Sequence, residues 1–335
     1  MAQISRRTLL GGSLLAAAAV AGAGLGVVGP VHHEVALPPA EPPAALTDAL
    51  ARQQQLLAAY ESGQPEVGSI SDSMRANVAA HGDALRALLE LYPGWRLAQR
   101  TASPGPTATS DPAAGTGGLG AMCTRDAQLL RQAVLGWPAA EPRASQVLPV
   151  LASIEAALST QALMFGYPLA PSSGTPVAAG VRQVPQPIVD GLQQVLAAQH
   201  LAVFGYPLIG VHLGTDADVA RARDLEAAHR LTRDAVAGQL VALGVTPAAS
   251  ASSYPPPAPV TGAEAATAWA VRIEERSAAA YRYLLEGAVR AGGDQRALRG
   301  QALDGLTAAA LAATTWRLVD DPKRATVPFP GAPGS

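Results

Sequence analysis

Residues 245–262 read VTPAASASSYPPPAPVTG and lie between two long helical patterns, at about 217–244 and 263–291. Prolines and small polar residues keep this stretch out of helix and sheet. Extended, its residues reach ~55 Å at about 3.1 Å each, whereas a helix of about 26 residues is only ~39 Å long. The segment can therefore carry the chain back along the full length of the helices it joins. The patterns at about 188–213 and 217–244 are separated by a short turn, as are those at about 263–291 and 295–318. Short connections make antiparallel neighbours, so the expected topology is up-down, long crossover, up-down.

Upstream of a breaker-rich linker at 168–187 the same layout recurs. Leu46, Leu50, Leu57 and Tyr60 keep helical spacing, as do Met74, Val78, His81, Leu85 and Leu88, a stripe that Pro93 and Gly94 end. Residues 97–119 are too polar and too rich in breakers to pack. Two more patterns run from about 121 to 137 and 145 to 166, the second with Leu148, Leu151, Leu158, Ala162 and Phe165 on one face. These four form an N-terminal helical unit, 45–167, ahead of a second unit, 188–331. The word FGYPL occurs at 165–169 and at 204–208. One copy closes the last helix of the first unit and the other lies in the first helix of the second, so they are not equivalent positions of a duplicated domain. Both prolines act as breakers: the chain leaves the helix at Pro168, and Pro207 ends or kinks its helix.

At the N-terminus, Ser5, Arg6 and Arg7 followed by Leu9 and Leu10 fit a twin-arginine export signal, and residues 9–28 carry no charge. That run is long enough to cross ~30 Å of hydrocarbon. Residues 1–30 are thus expected to be an export signal or a membrane anchor, with a cleavage site at Ala21-Gly22-Ala23 and a Pro-rich linker over 31–44. The expected location is extracytoplasmic, either secreted or anchored to the cytoplasmic membrane. Cys123 is the single cysteine, which excludes an intrachain disulfide and reads as a small apolar side chain. A net charge of −2, with Lys323 the one lysine among 24 basic residues, leaves no cationic stripe to neutralise phosphates and excludes nucleic acid as a partner. Apolar residues at 49% and aromatics at 4% favour helices packed through small side chains over a β-sandwich.

The segment 224–244, DLEAAHRLTRDAVAGQLVALG, places Glu226, His229 and Arg233 on one stripe with Val236, Leu240 and Leu243. A Glu-x-x-His pair directed into a helical bundle is how carboxylate-bridged iron or manganese sites are built. A complete dinuclear site needs a second such pair and two further glutamates. Gln199 and His200 on the preceding helix and Glu274 on the third supply part of it, while the last helix offers Asp304 alone. The candidate metal ligands are therefore Glu226, His229, Glu274, His200 and Gln199. The competing reading is a buried polar cluster in which Glu and His satisfy each other or Arg233. His81, preceded by Ala79 and Ala80 as His229 is by Ala227 and Ala228, also falls on an apolar stripe, where Glu155 can face it. No G-x-S-x-G elbow, phosphate-cradling glycine loop or Cys-x-x-Cys occurs.

The words AAQHLAVFGYP (197–207), AAHRLTRDAV (227–236), IEERSAAAY (273–281), TTWR (314–317) and FPG (329–331) resemble, in order and spacing, an uncharacterised ferritin-like domain family of exported bacterial proteins. The likeness covers about 187–331. It implies an all-α, ferritin-like four-helix bundle, preceded here by the second helical unit, and export. His200, His229 and Glu274 carry over, whereas Gln199 stands where a glutamate is usual and Pro207 where a glycine continues the helix. The expected function is a non-catalytic envelope protein that binds a protein or small-molecule partner or serves a structural role. The alternative is an iron- or manganese-binding bundle with oxidoreductase activity.

Overall fold

Every regular element among the described residues is helical, as the 3.6-residue spacing of the apolar positions requires. The computed structural model describes residues 40–62, 71–101, 118–138, 141–167, 184–256 and 258–334. The segment expected to be an export signal, most of both linkers and Pro168 lie outside the described residues. In chain order the helices are α1 (Ala44–Glu61), α2 (Ser71–Leu89), α3 (Pro93–Thr101), α4 (Leu119–Gly136), α5 (Ala144–Met164), α6 (Gln186–Gly210), α7 (Asp216–Ala242), α8 (Ala263–Ala291) and α9 (Arg296–Asp320). A short 3₁₀ turn, Pro322–Arg324, leads into the C-terminal segment.

Two local readings are refined. The Met74–Leu88 stripe does end ahead of Pro93 and Gly94, with α2 stopping at Leu89, but these residues then open α3. Proline's fixed φ suits the first turn of a helix, where its missing N–H has no partner to lose. Of the two effects expected of Pro207, an end to the helix does not occur: α6 continues to Gly210. Near the end of a helix a missing amide costs a single bond.

Helix α6 runs antiparallel to both α7 and α8. Gly191 lies against Leu284, Gly205 against Ile273, and Gly287 against the Pro187 carbonyl. A Cβ on Gly287 would stand 2.3 Å from the Pro187 carbonyl oxygen, a backbone atom with no rotamer to yield, so only glycine permits this approach. Since α7 and α8 both oppose α6, they point the same way, and residues 243–262 run lengthwise between them. Their path lies along α6: Gln193 donates to the Thr246 carbonyl at 2.8 Å and accepts from the Ala248 amide at 2.9 Å, and farther on the Tyr254 ring meets Phe204 at 5.5 Å. Thr215 starts α7 by accepting from the Asp218 amide at 3.1 Å, with Asp216 and Asp218 favourable at the helix's positive end. Gly244, at φ 73°, lets the chain leave it.

Helix α5 joins the two halves. The expected single apolar face is in fact a helix buried on every side, from Val147 through Ala162 with the exception of Val150. It packs on α4 within its own half and on α8 and α9 of the other. Long and apolar enough to cross a membrane by length and composition, it is covered instead by protein. At about 1.5–3 kcal/mol for each large aliphatic side chain withdrawn from water, it anchors the core. Buried Arg299 of α9 adds a polar tie, donating to the Leu135 and Trp137 carbonyls at the C-terminal end of α4.

The C-terminal segment returns across this junction to the N-terminal half. Asn77 donates to Thr326 Oγ1 at 3.0 Å, the Ser153 hydroxyl donates to the Pro330 carbonyl at 2.9 Å, and His81 Nε2 meets the Pro328 carbonyl at 2.7 Å. The Phe329 ring stands edge-on to the His81 imidazole at 5.5 Å. Glu155 does not face His81; it accepts from Thr307 at 2.6 Å.

Candidate functional site

Of the five candidate ligands, three converge. His229, near the middle of α7, points inward and is 9% exposed; Glu274 comes from α8 and is 1% exposed; Gln199 comes from α6. His229 Nδ1 lies 2.6 Å from Gln199 Oε1 and Nε2 lies 2.9 Å from Glu274 Oε1. Glu226 is turned aside to Arg230, 2.5 Å away, Arg233 pairs with Asp234 at 2.8 Å, and half-buried His200 joins none of these contacts. Glu226 lies about 60° around α7 from His229, and Arg230, one turn on, holds its carboxylate away from the cluster.

Two residues absent from the sequence-derived set complete the cluster. Tyr206 donates to Glu274 and lies stacked on the His229 ring at 5.6 Å. Trp316 Nε1 donates to the Tyr206 hydroxyl oxygen at 3.1 Å. A polar chain thus runs from Trp316 of α9 through Tyr206 of α6, Glu274 of α8 and His229 of α7 to Gln199 of α6, drawing on all four helices. Burial, and next the adjoining Glu274 carboxylate, push the Tyr206 hydroxyl well above its ordinary pKa, so it stays a neutral donor. Tyr206 belongs to the second FGYPL word. That position contributes chemistry here, while Tyr167 of the first copy lies at the exposed end of α5.

Outside the chain of hydrogen bonds a cleft of about 440 Å³ opens between α7 and α9. His229, Glu274, Ser277 and Tyr281 form its floor, and Leu231, Ala235, Ala308 and Ala312 its walls. Gln239 and Gln301 close one end, bonded to each other at 2.9 and 3.2 Å. Gly305 leaves room for the Tyr281 ring, whose atoms would lie 2.2 Å from an added Cβ. The Ser277 hydroxyl is buried and has no hydrogen-bond partner among the described residues, and Leu231 on the rim is 74% exposed. A larger depression, about 700 Å³, lies between α6, α8 and the crossover, lined by Tyr254, Tyr283 and Arg276. It does not touch the polar chain. Among the described residues no three His, Cys, Asp or Glu side chains group as a metal-ligand set.

The N-terminal half repeats part of this arrangement. Gln53 of α1 meets His81 Nδ1 at 3.0 Å, as Gln199 meets His229. Tyr60, seven residues after Gln53 as Tyr206 is after Gln199, donates to Gln161 Oε1 at 3.0 Å. Cys123 stands near it, fully buried, with burial pushing its thiol up to about 12. Among the described residues no carboxylate takes the place of Glu274 beside His81.

Searches of curated proteins find no match to this chain. Among solved structures, a conserved hypothetical protein, rv2844, from Mycobacterium tuberculosis is similar at 28% identity over 41% of this chain and 99% of that one, with a TM-score of 0.36. Residues 191–334, which contain the whole polar chain and its cleft, match the profile of a domain of unknown function, DUF4439.

Proposed function

We propose that the protein is an exported, ferritin-like helical-bundle protein of the cell envelope that binds a partner without transforming it. The α7/α9 cleft carries this reading. A mostly apolar cleft of about 440 Å³ with a few convergent polar groups suits a ligand. Two groups on its floor are already engaged with each other: both His229 nitrogens and Glu274 Oε1 have partners, so the imidazole is not a free acid or base aimed at a bound molecule. Two antiparallel hairpins joined by a lengthwise crossover support the ferritin-like assignment. Arg6 and Arg7 ahead of an uncharged segment support export.

Iron or manganese binding, with oxidoreductase activity, has one observation in its favour, the convergence of Gln199, His229 and Glu274. The donor set does not fit a bridged metal pair. A carboxamide stands where a bridging carboxylate is required, Glu226 and His200 lie aside, and the two atoms that would ligate are bonded to each other at 2.9 Å.

The test is binding of the apolar dye 8-anilinonaphthalene-1-sulfonate to the folded chain. One saturable site is expected in the parent, lost in Ala308→Trp, which fills the cleft, and in Leu231→Asp on its rim. Dye that fails to bind, or that binds both variants as it does the parent, removes the cleft from consideration. Elemental analysis of the exported protein addresses the metal: no stoichiometric iron or manganese is expected, and a metal lost in His229→Ala would replace the binding reading.

A further inference from the structure

The two halves carry the same glutamine–histidine pair, and beside one of them the chain's own tail is seated. Gln53 and His81 pair on α1 and α2 as Gln199 and His229 do on α6 and α7, and Tyr60 follows Gln53 by seven residues as Tyr206 follows Gln199, although it bonds Gln161 of α5 and not a carboxylate. Beside His81, the space between α2 and α5 holds residues 326–330 of the chain itself, TVPFP, bonded to Asn77, His81 and Ser153 and packed by Phe329 on the imidazole. Beside His229, the matching space between α7 and α9 is the open cleft.

We infer that the α7/α9 cleft is a docking groove for an extended, uncharged, proline-rich peptide segment of a partner protein, bound as TVPFP is bound in the other half. This rests on the cleft being the binding site. The filled groove shows what such a space accepts: a peptide whose prolines cost little conformational entropy to immobilise and whose aromatic ring reaches the histidine. The anchoring donor differs. His81 Nε2 faces a peptide carbonyl, but His229 Nε2 is occupied by Glu274. The buried Ser277 hydroxyl on the cleft floor, unpartnered among the described residues, is a donor available for that role, as is the neighbouring Tyr281 hydroxyl. A side chain buried without a bond is costly unless a ligand supplies one.

Fluorescein-labelled peptide ATVPFPGAPG, the sequence of residues 325–334, added to the full chain tests the inference by anisotropy. Saturable binding that displaces the anilinonaphthalene dye is expected. It should weaken about three- to tenfold in Ser277→Ala, the worth of one hydrogen bond, and disappear in Ala308→Trp and in the fold-neutral rim variant Leu231→Asp. A dye that occupies the cleft but resists the peptide overturns the inference and leaves the cleft reading standing; a dye that does not bind at all removes both. Peptide binding that survives Ala308→Trp and Leu231→Asp shows displacement of the chain's own tail beside His81 and also overturns it.

Discussion

His81 and His229 each follow two alanines, and each is held at Nδ1 by a glutamine of the preceding helix, yet they end in opposite surroundings. His81 is fully buried, faces a backbone carbonyl, and among the described residues has no charged neighbour in hydrogen-bond contact. Burial pushes its pKa down to about 4 against the opposing effect of the Pro328 carbonyl. His229 faces a carboxylate and borders a cleft. The same helical pair therefore serves as a sealed structural joint in one half and as the floor of an opening in the other. What differs is the third partner: a returning chain segment in one case, Glu274 in the other.

The largest expected effect separates these partners. Glu274→Ala should lower stability by about 3–5 kcal/mol, because it strands His229 and Tyr206 in the interior. Gln53→Ala, which removes a neutral acceptor from His81, should cost only about 1–3 kcal/mol. Urea denaturation measures both, and equal losses would dissolve the distinction between a charged and a neutral joint.

Next comes pH. His81 is lowered from 6.5 to about 4, so its contribution is complete above pH 6.5 and declines by about 3 kcal/mol as pH falls toward 4. Glu155, fully buried, is raised from 4.5 to about 7, so its contribution is complete below pH 4.5 and is lost as pH rises through 7. The two slopes oppose each other over the same window. Glu155→Gln should uncover the His81 slope, giving stability that climbs between pH 4.5 and 6.5 more steeply than in the parent. Identical slopes in denaturation at pH 5 and pH 6.5 would contradict this.

Smaller effects probe the cleft itself. Ser277→Ala should raise stability by about 1 kcal/mol, since it deletes a buried hydroxyl left without a bond, even as it weakens peptide binding. A loss of stability would mean that the hydroxyl has a partner. Glu226→Ala should change stability by no more than about 0.5 kcal/mol, as expected for a surface pair with Arg230. A larger loss would place Glu226 inside the polar cluster after all.

Much of this architecture is legible in the amino-acid sequence. Helical spacing locates eight of the nine helices among the described residues, and the length of residues 245–262 implies the crossover. The inward turn of His229 and Glu274 follows from their stripes. Tyr206 and Trp316 escape notice because nothing local marks them: their hydroxyl and indole N–H acquire meaning only from partners 68 and 110 residues away. Helix α5 looks one-sided in sequence because its second cover, α8 and α9, lies in the other half of the chain.

Periodicity and breakers reflect the chain's own local sterics and hydrogen bonding, so the letters alone establish which segments are helical, how they pair as hairpins, and where the long return runs. Which polar groups meet depends on contacts between residues far apart in sequence, each chosen by how whole helices pack. That is why Tyr206 and Trp316 join His229 and Glu274, and why a tail carrying Phe-Pro-Gly packs beside one histidine while the space beside the other stays open.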